Sequence, residues 1–344
     1  MRSKLLARLT CAALVAGCVF GLSTAVASAT TLTGAGSTLV APIEAEWATA
    51  WGTSTGNNVT YAAVGSGSGY KDIAQGLVDF GASDAPLSVY STPPCANCVQ
   101  IPWALTATGV SYRIDGLRLP RHTNLHLTGG VLAKIYLGQI TNWADPAIRA
   151  LNRGAHIPST PITVLWRNDA SGDTYAFTRY LSDVSGTFAG SVGSSTTVSF
   201  PVGVGARGNS GLASALAGTN GGIAYIAVSY LIAQRLPAIG IKNAGGQYVV
   251  PNLSAIEAAA SVVHGVPSNN QVTIVNPSRR AKGAYVISTF TYCIVPTNAP
   301  QGALLQSFIG YALGGGQRFG PALDFAPLPK AVLRAARATV GGIR

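Results

Sequence analysis

Pro161-Ile-Thr-Val-Leu-Trp-Arg-Asn-Asp-Ala-Ser-Gly-Asp-Thr174 changes its periodicity halfway, and that change sets the fold class. Pro161 to Trp166 is short, apolar and β-branched, as a buried strand requires, while Phe177, Tyr180 and Leu181 recur downstream at helical spacing. Arg167 to Thr174 therefore occupies a strand-to-helix turn. Ser171 and Gly172 allow close backbone approach, and the first N–H groups of the following helix lack intrahelical partners, so they can hold an oxyanion. Arg167 offers a planar fork for two oxygens, and Asp169 is placed to hold that fork. The octet alone equally fits a capped helix with a surface ion pair.

Working outward, the same alternation recurs. Thr31 to Leu39 reads as a strand and a Gly-rich turn, with Ile43, Trp47 and Trp51 on one helical face. Val59 to Val64 is strand-like and runs into Gly65-Ser-Gly-Ser-Gly69, after which Tyr70, Ile73, Ala74 and Leu77 share a helix face. The glycine spacing fails the dinucleotide fingerprint because Tyr70 stands where a glycine is needed. Val78 to Asp84 is a third strand ending in polar residues. In open α/β sheets ligands collect at such strand ends. Residues from about Thr106 to Gly283 carry their own strands and helices, and Trp103–Tyr112 and Tyr285–Val295 read as two crossings between domains. The predicted organisation is a leader over 1–29, a discontinuous first domain of 30–105 plus 285–344, and a second domain of 106–284. Helical patterning resumes at Leu304–Leu313 and Ala331–Ala338.

Arg2, Lys4 and Arg8, the apolar run Leu9–Val26 and Ala27-Ser-Ala29 form a secretory signal peptide. A lipoprotein-type site ending at Cys18 competes, but Val19–Ala29 is too apolar for a flexible tether, which favours cleavage after Ala29. Either route exports the chain to the periplasm or beyond. Removing the leader leaves 315 of 344 residues, enough for two domains of about 150, and lowers the formal charge from +11 to +8. A basic exported protein points to anionic ligands. Nucleic acid is not expected, because Lys and Arg are scattered along the chain. No second membrane span is predicted: the apolar run Ile223–Ala233 is far shorter than the roughly 20 residues needed. Cys95 and Cys98, in a Pro-rich loop, are expected to form a local disulfide, and Cys293 reads as a buried thiol. No metal or cofactor is expected. His122 and His126 lack the intervening glutamate of a zinc protease and read as loop residues, and no nucleophile elbow or phosphate loop is present.

Thr33-Gly-Ala-Gly-Ser-Thr38, Gly65-Ser66, Asp79-Phe-Gly-Ala-Ser-Asp-Ala-Pro86 and Arg167–Gly172 together resemble the phosphate-binding proteins of bacterial phosphate ABC transporters. Tyr136–Ile148, Gly205–Asn209 and Gly221–Tyr225 resemble that family outside the site. The resemblance implies a two-lobed α/β periplasmic-binding-protein-like (type II) fold closing on one dehydrated phosphate, without enzymatic activity. It implies hydroxyl donation by Thr38 and Ser66, a backbone N–H from Leu39, two contacts from Arg167, and donors at Ser171 and Gly172. Asp84 would accept the ligand's proton, which phosphate carries at neutral pH and sulfate lacks. Asp173 departs from the family's threonine. Two readings follow: an inward second acceptor demanding a second ligand proton, or an outward carboxylate that stabilises the helix start. The implied function is phosphate delivery to an inner-membrane permease by a monomeric receptor. The alternatives are another oxyanion or small organic anion on the same fold, and a secreted phosphatase.

Overall fold

A computed structural model describes residues 29–344, so the signal-peptide and Cys18 readings lie outside the described residues. The strands in chain order are β1 (Thr31–Gly36), β2 (Asn58–Ala63), β3 (Phe80–Ser83), β4 (Cys98–Arg113), β5 (His126–Leu127), β6 (Thr163–Arg167), β7 (Val204–Ala206), β8 (Gly222–Ala227), β9 (Gly240–Lys242), β10 (Tyr248–Val249) and β11 (Ser288–Pro296). The helices are α1 (Ala41–Thr55), α2 (Ser66–Ala74), α3 (Gly129–Tyr136), α4 (Pro146–Leu151), α5 (Gly172–Val184), α6 (Gly186–Ser191), α7 (Gly208–Gly218), α8 (Val228–Ala233), α9 (Leu253–Ala260), α10 (Gly302–Ala312) and α11 (Lys330–Val340).

Eight strands form one sheet in the order β2-β1-β3-β11-β4-β8-β6-β7. Parallel pairs β1·β2 and β1·β3 lie at one end and β6·β8 and β6·β7 at the other. The antiparallel strands β11 and β4 join them. β4 pairs with β11 up to Ala107 and with β8 from Thr108 onward, so one strand serves both halves. Each half has its own aromatic core. Trp47, Phe80, Trp103 and Phe308 interlock in the first lobe, with the Trp47 and Trp103 rings 5.2 Å apart. Tyr136, Phe177, Phe200 and Tyr225 do so in the second, where Phe177 stacks on Tyr225 at 4.4 Å.

α1 forms as its i, i+4 spacing predicts, burying Ile43, Trp47 and Trp51, and ends at Gly56 in the left-handed conformation (φ 74°). The third strand begins later than expected, at Phe80, because the Asp79 carboxylate turns back to accept from the Thr33 N–H (2.7 Å) and hydroxyl (2.8 Å). The run Ile223–Ala233 divides between β8 and α8, and no helix of the described residues is long and apolar enough to cross a membrane. Cys95 and Cys98 are joined by a disulfide, and Cys293 is free and buried in β11. His126 is not a loop residue: it opens β5, pairs with β9 and stacks on Tyr248.

Candidate functional site

The ends of β1, β3 and β6 meet where the two lobes face each other. After β1, Ser37 Oγ accepts from the N–H groups of Leu39 (3.0 Å) and Val40 (3.3 Å), closing the turn just ahead of α1. The same hydroxyl lies 2.7 Å from both carboxylate oxygens of Asp84. The Leu39 N–H, expected to face the ligand, is directed here at the Ser37 hydroxyl beside Asp84. The Thr38 hydroxyl accepts from Asn209 Nδ2 of the opposite lobe at 2.9 Å.

Asp84 follows β3 and is buried. Ser66, first residue of α2, sits between the lobes: its Oγ accepts from the Asp84 N–H (3.3 Å) and from the Gly172 N–H across the cleft (3.1 Å). Gly67 N–H likewise donates to Ala170 O at 3.0 Å. Gly172 packs so closely on Asp84 that a Cβ there would overlap the aspartate's own Cβ and carboxylate. Gly172→Ala is therefore expected to hold the lobes apart and weaken ligand binding by about 5-fold to 150-fold, the 1–3 kcal/mol that overpacking costs. Calorimetry checks it, and undiminished affinity would show that this contact is not part of the bound state.

β6 delivers Arg167, whose guanidinium is buried and pinned on two sides. Its Nε and Nη2 donate to the two oxygens of Asp169, and Nη1 donates to Asp173 Oδ2 at 3.1 Å. Three of its five N–H donors are thus used, and two remain on the terminal nitrogens. The helix start behind it is capped by Ser171, whose Oγ accepts from Thr174 N–H at 3.4 Å.

Asp173 is not turned outward. It is 1% exposed, and its carboxylate accepts from Thr108 Oγ1 (2.6 Å), Arg167 Nη1 and Asn209 Nδ2 (2.7 Å). A buried arginine beside it offers far more than the helix dipole does at a solvated first turn. Asn209 is the main residue that sequence reasoning missed. It stands among the family-like residues outside the expected site, yet it is fully buried within it, binding Thr38 and Asp173 through Nδ2 and the Ala227 N–H through Oδ1. Ser37 and Thr108 were missed as well.

One guanidinium faces three carboxylates here. Burial pushes the Asp84 carboxyl up to about 8, with the Asp173 charge adding to the rise and the Ser37 hydroxyl and Arg167 opposing it. Burial also raises Asp173 above the usual carboxylate range despite Arg167, Thr108 and Asn209. Asp169 is partly buried too, but the Arg167 guanidinium holds it below that range. Near neutrality the site therefore retains a proton. Glu44, in the first turn of α1, is buried with Oε1 unpartnered and is likewise raised to about 8 by burial. A carboxyl raised in the folded state binds a proton that the unfolded chain releases between pH 4 and 8. Stability falls with pH across that window, by at most about 1.4 kcal/mol per unit for each group. Thermal melts of the ligand-free protein are expected to decline from pH 5 to 8, and Asp84→Asn to flatten that decline. An identical slope in the variant would show that Asp84 ionises normally.

The PBP superfamily domain matches residues 23–315. The phosphate-binding protein PstS of Xylella fastidiosa is 33% identical over 301 residues, covering 87% of this chain and 81% of that protein. PstS of Pasteurella multocida is 32% identical, covering 92% and 90%. In fold, the chain is similar to a high-affinity periplasmic phosphate-binding protein solved with phosphate, at a TM-score of 0.69 and 23% identity, over 90% of this chain and 93% of that one. On the superfamily match and these two sequence relatives, the chain belongs to the PstS family of phosphate-binding proteins.

Proposed function

We propose that this protein is an exported, monomeric, non-enzymatic receptor that closes its two lobes on inorganic phosphate and delivers it to an inner-membrane ABC permease. The lobes are residues 30–105 plus 285–344 and residues 106–284, a division supported by the change of partner along β4. The proposed ligand set is Thr38, Leu39, Ser66, Asp84, Arg167, Ser171, Gly172 and Asp173, with Asp169 fixing the guanidinium and Ser37 fixing Asp84. The observation that carries the reading is Arg167, with two unspent donors, at the lobe junction beside the buried Asp84. A guanidinium fork, helix-start N–H groups and an acceptor together suit a tetrahedral oxyanion that brings a proton. The relatives are named as binding proteins, which supports a receptor over a phosphatase.

The test is thermal stabilisation of ligand-stripped mature protein by phosphate, arsenate, sulfate and small carboxylates, since a ligand stabilises by RT ln(1 + [L]/Kd). Phosphate and arsenate are expected to shift the melt strongly. A larger shift with a carboxylate would replace the reading with an organic-anion receptor.

Asp173 makes the proton requirement stricter. Three of its roughly four acceptor positions are filled by protein donors, leaving one for a ligand. Phosphate affinity is expected to fall from pH 6 to pH 8 in the parent protein and less so in Asp173→Thr. Equal pH dependence in the two, measured by titration calorimetry, would remove Asp173 as a second acceptor.

A further inference from the structure

The arginines of residues 113–157 look scattered in sequence but are gathered by the fold. Arg113 ends β4 beside Gly222, and Thr163 begins β6 beside the same residue. The segments 114–126 and 152–162 therefore lie at the pole of the second lobe, about 13 Å or more along β6 from the Arg167 end. Two backbone hydrogen bonds join Arg118 to His156 there (3.0 and 2.9 Å), and Asn152 clasps His126 through its N–H and carbonyl (2.8 and 2.9 Å). Arg118, Arg121, Arg149 and Arg153 are exposed, and none has a carboxylate within ion-pair distance among the described residues. Of the nearby acids, Asp115 is paired with Arg113 and Asp145 caps α4.

Beside Arg153, and walled by Leu119 and Pro120 between Arg118 and Arg121 in the chain, is a depression of about 70 Å³, lined on its polar side by Thr123, Asn124, His126, Asn152 and Arg153. It is far below the few hundred Å³ of an organic-ligand pocket, and its scale is that of one small anionic group. Cationic surface continues beyond it. His126 stacks on Tyr248 at 4.2 Å, Lys242 lies 5.8 Å over the Tyr248 ring, and the Gly283 N–H beside Lys282 donates to Gln247. The run is thus an extended track with a seat for a single group, which fits a chain of repeated charges.

We propose that this pole is a docking track for a linear chain of phosphate groups, bound through its backbone charges and independently of the cleft. Nucleic acid fits less well: Tyr248 is engaged by His126 and Lys242, leaving no aromatic platform for base stacking.

The experiment uses mature protein saturated with inorganic phosphate, so that the cleft is occupied, and titrates it with inorganic polyphosphate of defined length. Arg118→Glu/Arg121→Glu/Arg153→Glu is compared with Lys71→Glu/Lys330→Glu/Arg334→Glu, an equal charge change at exposed sites elsewhere. Polyphosphate affinity is expected to fall at least about tenfold more in the first triple variant than in the second. The slope of log K against log salt is expected to decrease by about 2, near 0.7 for each lost cation on a single-stranded chain. Unchanged orthophosphate affinity and melting in both variants show that fold and cleft survive. Equal losses in the two variants would reduce the effect to net charge and overturn the proposal. So would no polyphosphate binding at low salt, tighter binding of a single-stranded oligonucleotide of equal charge, or binding confined to anionic phospholipid vesicles.

Discussion

Arg167→Ala is expected to weaken phosphate binding by about 30-fold to 5,000-fold, the 2–5 kcal/mol that truncating one partner of a buried charge pair costs. The loss has two sources. The ligand forfeits the only full positive charge among the proposed contacts, and Asp169 and Asp173 lose the group that balances them. The same substitution should lower folding stability by about 3–5 kcal/mol, because a buried ion pair is broken from one side. Arg167→Lys separates the effects. An ammonium restores charge and much of the stability but not the two-pronged geometry, so affinity should recover only partly. Affinity retained within about threefold in Arg167→Ala, by calorimetry, would place the ligand elsewhere.

Asp84→Asn is expected to change selectivity more than affinity. Once ionised, Asp84 can only accept, so it pairs a ligand proton and can reject the ligand lacking one by about 10⁴-fold, and an amide, which donates as well as accepts, relaxes that rejection. The raised Asp84 carboxyl adds a pH signature. Sulfate brings no proton and must use the one Asp84 holds, so its affinity in the parent should fall about tenfold per pH unit above pH 8. The amide of the Asp84→Asn variant has no proton to lose, and sulfate binding in that variant should be flat over the same range. An unchanged sulfate-to-phosphate ratio of dissociation constants would show that Asp84 does not select the ligand.

The sequence made the two lobes and the strand ends visible because each of those features is local. β1, β2, β3 and β6 each run into a turn rich in Gly, Ser or Pro, so Thr38, Ser66, Asp84 and Arg167 could be read as neighbours of turns before their meeting was known. Asn209 and Thr108 could not be found that way. They lie 36 and 65 residues from Asp173, and only the folding of the second lobe, which brings β4, α5 and α7 together, gives them that partner. Asp173 stays open between two orientations in sequence because a first-turn aspartate is ordinary there, and only its burial against Arg167 decides. The two- and three-residue strands β5, β9 and β10 are too short to show alternation. The basic pole was hidden because its arginines come from separate segments joined by the Arg118–His156 bridge.

The partner change along β4 also orders how the chain is completed during folding. The second lobe is a continuous run between Thr108 and Ile287, whereas the first needs β11, an interior strand that arrives almost 180 residues after β4 has ended. Until residues 288–296 insert between β3 and β4, both of those strands present bare edges, and the first lobe has no closed sheet. Such late, long-range pairing is slow. The chain is therefore built so that its first-lobe sheet stays unfinished until nearly all of it has been made. Truncations that stop before Ser288 are expected to leave a foldable second lobe tethered to an aggregation-prone first one.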